Sequence, residues 1–239
     1  MKLYSGPLSL FTAKVRIGLA EKGLDYERVE VGWSLARRYE PHHPDVVAAN
    51  PKRQVPVLVD GEVVVYDSTR ILEYLEDAHP TPPLLPRGAA ARARCRQLEA
   101  LADEILFPPV WDLIEEGFYP APPGGRDATR AQRARSTLAG LHAELERELA
   151  DGEYLCGAFS VADIACFVML STAASLGAGP GEEHMRLGAW LARTGARPAV
   201  ARDVAAMRAH VQALFAGGTG SAAGRGGEPP VYASPAGDA

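Results

Sequence analysis

Cysteine is scarce in this sequence of 239 residues: it occurs only as Cys95, Cys156 and Cys166, and no two of them form a Cys-x-x-Cys pair. This spacing provides neither a zinc site nor a disulfide framework, and it is typical of a protein from a reducing compartment. Long apolar runs are missing too, since no stretch reaches the roughly 18 residues of a membrane-spanning helix. The first residues also lack the apolar core of a signal peptide. We therefore expect a cytoplasmic protein without a membrane partner.

A strong excess of one charge is absent as well. The net charge of −5 argues against nucleic acid as the main ligand, because proteins that bind polyanions carry basic surfaces. The adjacent His42 and His43 have no second pair of ligands at metal-binding spacing, so no metal site is predicted. No glycine-rich loop joins a predicted strand to a helix, and this excludes a phosphate-binding loop of that kind.

The most informative segment covers residues 54–68. Two short apolar strands flank Asp60 and Gly61, and an Asp-Gly pair in this context predicts a hairpin because both residues tolerate positive φ. Pro56 has no N–H to give to a sheet, so we place it at the start or edge of the first strand. A cis bond at such a proline exposes backbone groups to a ligand. Ser68 then opens a helix, where free N–H groups hold a carboxylate.

Hydrophobic spacing predicts the other elements of the first third of the chain. Phe11, Val15 and Leu19 recur at helical spacing, and Gly23 is suited to end that helix. In order, we predict a strand over 2–5, a helix over 9–22, a strand over 26–31, an irregular region over 32–51 with a weak helix, the hairpin, and a helix over 69–79. A helix between two strands implies a parallel pair, and the hairpin adds an antiparallel pair.

A proline-dense boundary at residues 80–86 separates this region from a helical one. The predicted helices cover 89–106, 128–150, 161–176, and regions near 182–193 and 198–216. Pro108 and Pro109 are expected to kink or break the first of these. Residues 217–239 are mostly Gly, Ala, Pro and Ser, with little to bury, and we expect disorder or loose packing there. The predicted fold class is an α/β domain followed by an all-α domain.

These features resemble the glutathione S-transferase family, in its cytosolic, serine-type, bacterial-like form, over roughly residues 1–216. The resemblance implies a thioredoxin-like, glutathione-binding domain over 1–79 in which Pro56 is cis, a linker over 80–88, an all-helical substrate-binding domain over 89–216 and a tail over 217–239. It also implies glutathione as co-substrate, a small-molecule electrophile, and a homodimer with helices around 68–79 and 89–106 at the interface.

Within the first domain, the resemblance assigns five residues to glutathione. The backbone of Val55, held by Pro56, would pair with the cysteinyl part. Ser68 would bind the γ-glutamyl carboxylate through its hydroxyl and its N–H, and Asp67 would face the γ-glutamyl amine. Gln54, with Arg53 beside it, would hold the glycyl carboxylate; the alternative for both is a solvated loop.

Ser9 is the predicted catalytic residue. It stands six residues before Val15, the offset at which serine-type members of the family carry the active serine. A hydroxyl that donates to the glutathione sulfur favours the thiolate, which is the nucleophile. The alternative is that Ser9 only caps the first helix, since serine is a favoured N-cap. Tyr4, Ser5 and Thr12 are rival hydroxyls.

Two further groups of residues receive weaker predictions. Phe11, Phe107 and Trp111 are assigned to an apolar pocket for the electrophile, with ordinary helix packing as the alternative. The run from Ser160 to Asp163 resembles a capping box, which is a folding element rather than a catalytic one.

The predicted function is conjugation of glutathione to a hydrophobic electrophile, in a detoxifying role. Glutathione-dependent isomerases, etherases and reductive dehalogenases share the scaffold and remain alternatives. A third possibility is a non-catalytic module that binds protein partners. Retention on immobilised glutathione distinguishes the hypotheses, because a non-catalytic module is expected to flow through.

Overall fold

The computed structural model describes residues 1–40, 42–150 and 152–216. The predicted tail over 217–239 lies outside the described residues. The strands are β1 (Lys2–Ser5), β2 (Glu27–Glu30), β3 (Val57–Asp60) and β4 (Val63–Tyr66). The helices are α1 (Leu10–Glu21), α2 (Pro44–Ala49), α3 (Ser68–Ala78), α4 (Ala89–Leu101), α5 (Phe107–Gly117), α6 (Ala128–Leu149), α7 (Val161–Ser175), α8 (Met185–Gly195) and α9 (Pro198–Ala216). The predicted order of strands and helices is confirmed, except that α5 is an additional helix which the sequence analysis did not list.

The four strands form one mixed sheet in the order β2-β1-β3-β4. Strands β1 and β2 are parallel, as a connection through α1 requires. Strand β3 runs antiparallel to both β1 and β4. The sheet therefore combines the predicted parallel pair with the predicted hairpin.

The hairpin turn differs from the prediction by one residue. Asp60 pairs with Val63 inside the ladder, so the two residues at the tip are Gly61 and Glu62. Gly61 has a φ of +59°, the sign that a type II′ turn requires at its first central position. Asp60 accepts a hydrogen bond from the Tyr74 hydroxyl at 2.8 Å. The prediction that Asp60 sits at the tip is therefore wrong.

The two central strands, β1 and β3, bury side chains on both faces of the sheet. On one face, side chains of β1 and β3 pack with α1 and α3; this cluster contains Leu3, Val15, Leu19, Leu58, Ile71 and Leu75. On the other face, the neighbouring strand residues pack with α2; this cluster contains Tyr4, Val31, Val46 and Val57. Because successive strand residues point to opposite faces, Val57 and Leu58 are both fully buried on different sides.

A buried ion pair fastens the chain just after α3. Lys22 donates from Nζ to Glu76 Oε2 at 2.8 Å, and also to the carbonyls of His79 and Pro82. The same Glu76 oxygen accepts from the Leu84 N–H at 2.9 Å. The Leu84 carbonyl in turn accepts from the N–H that opens α7. The proline-dense segment is thus held by specific hydrogen bonds.

The two prolines after α4 change the helix geometry without ending it. A π-helical turn over Ala102–Leu106 joins α4 to α5. In a regular α-helix, the backbone N–H groups at positions 108 and 109 would donate to the carbonyls four residues earlier. Proline has no N–H, so the preceding turn adopts the wider hydrogen-bond spacing of a π-helix. The predicted kink or break is therefore present as a π-helical turn. As a result, α4 ends at Leu101 rather than at residue 106.

Packing divides the chain into two compact units. The first contains Met1–Ile105 and Asp151–Val168. The second contains Leu106–Ala150 and Met169–Ala239, described as far as residue 216, and its helices α5, α6, α8 and α9 pack in succession. Trp190 of α8 is fully buried there. The domain boundaries at 79, 88 and 216 stay predictions.

Asp163 organises the start of α7. Its carboxylate reaches back to the Ser160 N–H at 2.9 Å, as the capping-box prediction requires. It also accepts from the Ser160 hydroxyl at 2.8 Å and from the Leu155 N–H at 2.9 Å. Asp163 is fully buried, so these donors replace its lost hydration.

We expect Asp163→Asn to lower the free energy of unfolding by about 3 kcal/mol, because a buried carboxylate that accepts several hydrogen bonds is lost. Chemical denaturation of both proteins measures the difference. Asp25→Asn, at an exposed site, is the control and is expected to change stability little. If both substitutions changed the free energy of unfolding by the same small amount, Asp163 would not have the stabilising role proposed for it.

His142 is a buried titratable group of the second unit. It is 3% exposed, and its ring lies 5.9 Å from that of His184. Burial, with a smaller effect of His184, lowers the pKa of His142 to about 4, while Glu183 opposes the shift. The folded protein therefore holds this imidazole neutral.

We expect the protein to lose stability as the pH falls from 6.5 to about 4. The unfolded chain takes up the His142 proton near its ordinary pKa, whereas the folded chain does so only near the lowered one. The loss at the acid end is up to about 3 kcal/mol. Denaturation across this pH range should show a flatter profile for His142→Leu. His42→Gln is the control, and a variant profile identical to the wild type would contradict the assignment.

Candidate active site

Strand register brings the predicted site segments to one edge of the sheet. Val57, at the start of β3, pairs with Tyr4 near the end of β1 and with Tyr66 at the end of β4. Because β3 is antiparallel to both neighbours, its first residue lies beside their last residues. The segments 5–9, 55–56 and 67–68 therefore meet at this edge, which we call the strand-end site.

Pro56 presents the backbone before β3. The Val55–Pro56 bond is cis, as the family resemblance implied. Pro56 is buried and Val55 is half-buried. Across residues 1–40, 42–150 and 152–216, neither the N–H nor the carbonyl of Val55 makes a hydrogen bond. An extended peptide can supply both partners, in the manner of an added strand.

Asn50 shapes the loop that leads to Val55, a role that the sequence analysis missed. Its side-chain amide donates to the Gln54 carbonyl at 2.7 Å, and its Oδ1 accepts from the Lys52 N–H at 2.9 Å. Asn50 is 2% exposed, whereas Lys52 and Gln54 are exposed. The Asn-Pro pair at 50–51 was the available signal, since Asn before Pro favours a turn.

Asp67 occupies an unfavourable backbone conformation at the N-cap of α3, with a φ of +76°. Its carboxylate accepts from the Thr69 N–H at 3.2 Å and pairs with Lys52 Nζ at 3.2 Å. A non-glycine residue with such a φ costs about 1–3 kcal/mol, and residues of this kind cluster at functional sites. Asp67 is thus held at the strand-end site by its cap bond and by Lys52.

Ser68 is the first residue of α3 and is 3% exposed. Neither its N–H nor its hydroxyl makes a hydrogen bond within the described part of the chain. The start of a helix carries partial positive charge and unpaired N–H groups. Ser68 therefore offers two donors suited to an anion.

Ser9 caps α1. Its Oγ accepts from the Thr12 N–H at 3.2 Å, and the residue is partly exposed. This bond uses an oxygen lone pair and leaves the hydroxyl hydrogen for donation, because a serine hydroxyl donates once and accepts twice. Capping and donation to a sulfur are therefore compatible at this position.

The rival hydroxyls are less available. The Tyr4 hydroxyl donates to Asp45 Oδ2 at 2.6 Å, and this bond, with burial, raises the pKa of Tyr4 to about 12. Ser5 is fully buried and accepts from Arg16 Nη1 at 3.1 Å. Thr12 is fully buried inside α1. The rivals thus differ from Ser9, which is partly exposed.

A buried charge cluster lies beneath the strand-end site. Lys14 Nζ contacts Glu99 Oε1 at 2.6 Å and Asp103 Oδ2 at 2.7 Å. The Thr69 hydroxyl donates to the same Glu99 oxygen at 2.8 Å. Burial, opposed by Lys14, raises the pKa of Asp103. The cluster ties the starts of α1 and α3 to the end of α4.

Sequence reasoning missed this cluster as well. Lys14 is fully buried, although it stands on the same helical face as Leu10 and Ile17. A lysine on an apolar face was the signal, because such a lysine needs buried anionic partners. The partners, Glu99 and Asp103, lie far along the chain, so the sequence does not show which acidic residues contact Lys14.

The predicted pocket residues belong to different units. The Phe11 ring lies under Lys14 Nζ at 5.9 Å, within the first unit. In the second unit, the rings of Phe107 and Trp111 are 5.9 Å apart, and Trp111 lies 6.0 Å from Tyr119. The electrophile pocket stays a prediction. Among the described residues, no cluster of His, Cys, Asp and Glu is arranged to hold a metal, and no helix is long and apolar enough to cross a membrane.

Comparison with known proteins matches two family models to this chain. Residues 3–83 match the N-terminal domain of glutathione S-transferase, and residues 105–198 match the C-terminal domain. Glutathione S-transferase 3 of Zea mays is 32% identical over 217 residues, which cover 87% of this chain and 94% of that protein.

Other relatives broaden the comparison. A stringent starvation protein A homolog of Coxiella burnetii is 40% identical over 49% of this chain, but the match spans only 53% of that relative's length. A glutathione S-transferase of Methylobacterium radiotolerans, solved in complex with glutathione sulfonate, has a TM-score of 0.67 at 32% identity, covering 84% of this chain and 93% of that one. A thioredoxin-like domain followed by helices, the predicted fold class, is thereby confirmed. The chain belongs to the glutathione S-transferase family.

Proposed function

We propose that this protein is a glutathione transferase that joins the sulfur of glutathione to a hydrophobic electrophile. The observation that carries the proposal is the convergence of three groups at the strand-end site: the Val55 backbone and Ser68, which have no hydrogen-bond partner within the described residues, and a partly exposed Ser9. These groups match the three chemical parts of a γ-glutamyl tripeptide thiol: an extended backbone, a carboxylate and a sulfur.

Each part of glutathione has a candidate partner. Val55, held by cis Pro56, would pair with the cysteinyl backbone. Ser68 would donate its N–H and hydroxyl to the γ-glutamyl carboxylate, and Asp67 would face the amine. Gln54 is exposed beside this backbone and would reach the glycyl carboxylate.

Charge supports this orientation. Helices α1 and α3 both begin at the strand-end site, so their positive ends favour an anionic ligand. Asp67 already pairs with Lys52 at 3.2 Å, and an incoming ammonium would share that carboxylate. The negative cluster beneath adds attraction for the amine, since Glu99 and Asp103 outnumber Lys14.

Ser9 would act by donating its hydroxyl hydrogen to the sulfur. This bond, together with the start of α1, favours the thiolate over the thiol. Glutathione supplies the nucleophilic sulfur, which bonds to an electrophilic carbon while the leaving group departs with the electron pair. Holding both reactants together adds proximity to this activation.

The wider setting is part of the proposal. We infer a cytoplasmic homodimer with a role in detoxification, a glutathione-binding domain over 1–79 and a substrate domain over 89–216, with Phe11, Phe107 and Trp111 towards the electrophile. The edge strand β4 exposes Val63 and Val64, by 44% and 49% of their surface. Exposed apolar residues on a sheet edge favour contact with a second copy.

A second candidate is a module that binds partners on this fold without catalysis. The observation that favours it is the 40% identity to the stringent starvation protein A homolog, whose name denotes no transferase. The complete set of candidate glutathione contacts at the strand-end site favours the enzyme instead. Isomerisation, ether cleavage and reductive dehalogenation use the same contacts, and product analysis on a substrate panel separates them.

We expect Ser9→Ala to lower kcat/KM for an activated aryl halide by about 10- to 100-fold at neutral pH, since one hydrogen bond to a charged group is lost. The pH profile of the rate should move to higher pH, because the thiol would ionise less readily. Tyr4→Phe, which removes a hydroxyl bound to Asp45, is the matched control and should leave that profile in place. Unchanged turnover and profile in Ser9→Ala would remove Ser9 from the mechanism.

We expect Ser68→Ala to weaken glutathione binding about 10- to 100-fold, because a charge-assisted hydrogen bond to the carboxylate is lost. Calorimetric titration measures the change. Ser136→Ala, on an exposed part of α6, is the control and should bind as the wild type does. Failure of the wild type to bind glutathione, or to be retained on immobilised glutathione, would favour the non-catalytic module.

A further inference from the structure

Lys52 and Asp67 form an ion pair at the strand-end site. The Lys52 ammonium lies 3.2 Å from Asp67 Oδ2, and the other carboxylate oxygen, Oδ1, accepts from the Thr69 N–H at 3.2 Å. The ion pair and the helix cap therefore use both oxygens of the carboxylate. In the proposed function the amine of glutathione faces this same carboxylate, so Lys52 occupies the oxygen that a ligand ammonium would use.

The backbone of Lys52 is firmly held, whereas its side chain is not. Asn50 Oδ1 accepts from the Lys52 N–H at 2.9 Å, and the Asn50 amide donates to the Gln54 carbonyl at 2.7 Å. The Lys52 side chain is 59% exposed, and within the described part of the chain its ammonium donates only to Asp67. The ammonium can therefore exchange Asp67 for water while the loop keeps its shape.

Asp67 has less freedom than Lys52. It is the N-cap of α3, with a φ of +76°, and its side chain is 37% exposed. Two positive charges at one carboxylate oxygen repel each other, so a ligand ammonium and the Lys52 ammonium compete for Asp67 Oδ2. Lys52, as the longer and more solvated partner, is the group that yields.

Given the proposed glutathione site, on which this inference rests, we propose that Lys52 is a specificity-determining residue that competes with the ligand's ammonium group for Asp67. A ligand with an ammonium group has to displace Lys52, and its other contacts have to offset that loss. A free amino acid has no extended backbone for Val55. A γ-glutamyl peptide supplies that backbone together with a carboxylate for Ser68, so the competition favours this class of ligand over small amines.

The competition has a modest size. An exposed ion pair is weak, because water solvates both charges and the pairing restricts two side chains. Displacing Lys52 should therefore weaken the binding of an ammonium-bearing ligand by about 2- to 5-fold. A ligand without the amine leaves the ion pair intact and avoids this loss. The effect of Lys52 thus lies in the ratio of two affinities.

The test compares S-methylglutathione with S-methyl glutaryl-cysteinylglycine, which lacks only the α-amino group. Because both thiols are methylated, neither ligand depends on thiolate formation at Ser9. Calorimetric titration gives both dissociation constants, and their ratio measures the preference for the amine. The attraction of Lys52 for ligand carboxylates is common to the two ligands and cancels in this ratio.

We expect Lys52→Met to raise the preference for the amine-bearing ligand about 2- to 5-fold above that of the wild type. Methionine keeps most of the length of the side chain and removes the competing charge. Lys52→Gln, a second neutral variant, should give the same rise. Lys52→Arg keeps the charge and should show the wild-type preference.

Two controls separate competition at Asp67 from a general effect of charge. Lys2→Met removes the same charge from an exposed lysine that lies 3.7 Å from Glu27, at the other end of β1 from the strand-end site, and should keep the wild-type preference. Asp67→Asn retains an oxygen for the Thr69 N–H and tolerates positive φ, but removes the charge for which both cations compete. In that background Lys52→Met should leave the preference unchanged.

An unchanged or lower preference in both Lys52→Met and Lys52→Gln would overturn the competition. An equal rise in Lys2→Met, or a rise that persists in the Asp67→Asn background, would overturn it as well. In each of these cases the wild type still binds S-methylglutathione, so the proposed glutathione site stands. A wild type that binds neither ligand would contradict the proposed function itself, and the competition with it.

Discussion

The pairing of Val57 with both Tyr4 and Tyr66 is the constraint on which the strand-end site depends. A slip of one residue would exchange the two faces of β3 and expel Leu58 from its core cluster. The same slip would move Pro56 by about 3.3 Å relative to Ser9. Because β3 buries a residue on each of its faces, Val57 on one and Leu58 on the other, packing fixes the register, and the register fixes the site.

Groups at the strand-end site combine structural and chemical tasks. Ser9 caps α1 with a lone pair and keeps its hydrogen, while Asp67 caps α3 in a conformation with positive φ. Ser68 has both of its donors unpaired among the described residues. The N-terminal ends of α1 and α3 therefore supply both the caps that each helix needs and the unpaired donors that suit an anion.

Buried charges connect the sheet region to the chain that follows it. Lys14 joins α1 to α4, and Lys22 joins the end of α1 to the segment after α3. Asp163 holds the loop before α7. Breaking any buried ion pair is costly, because the remaining charge is left without a partner.

The sequence by itself determined the strands, most helices and the hairpin, because hydrophobic period, proline and glycine act over a few residues. Through the family resemblance it also indicated the cis bond at Pro56. Tertiary structure alone decided the turn at Gly61 and the partners of Lys14. Glu99 and Asp103 stand 85 and 89 residues from Lys14, and spacing along a chain carries no information on which distant groups folding brings into contact.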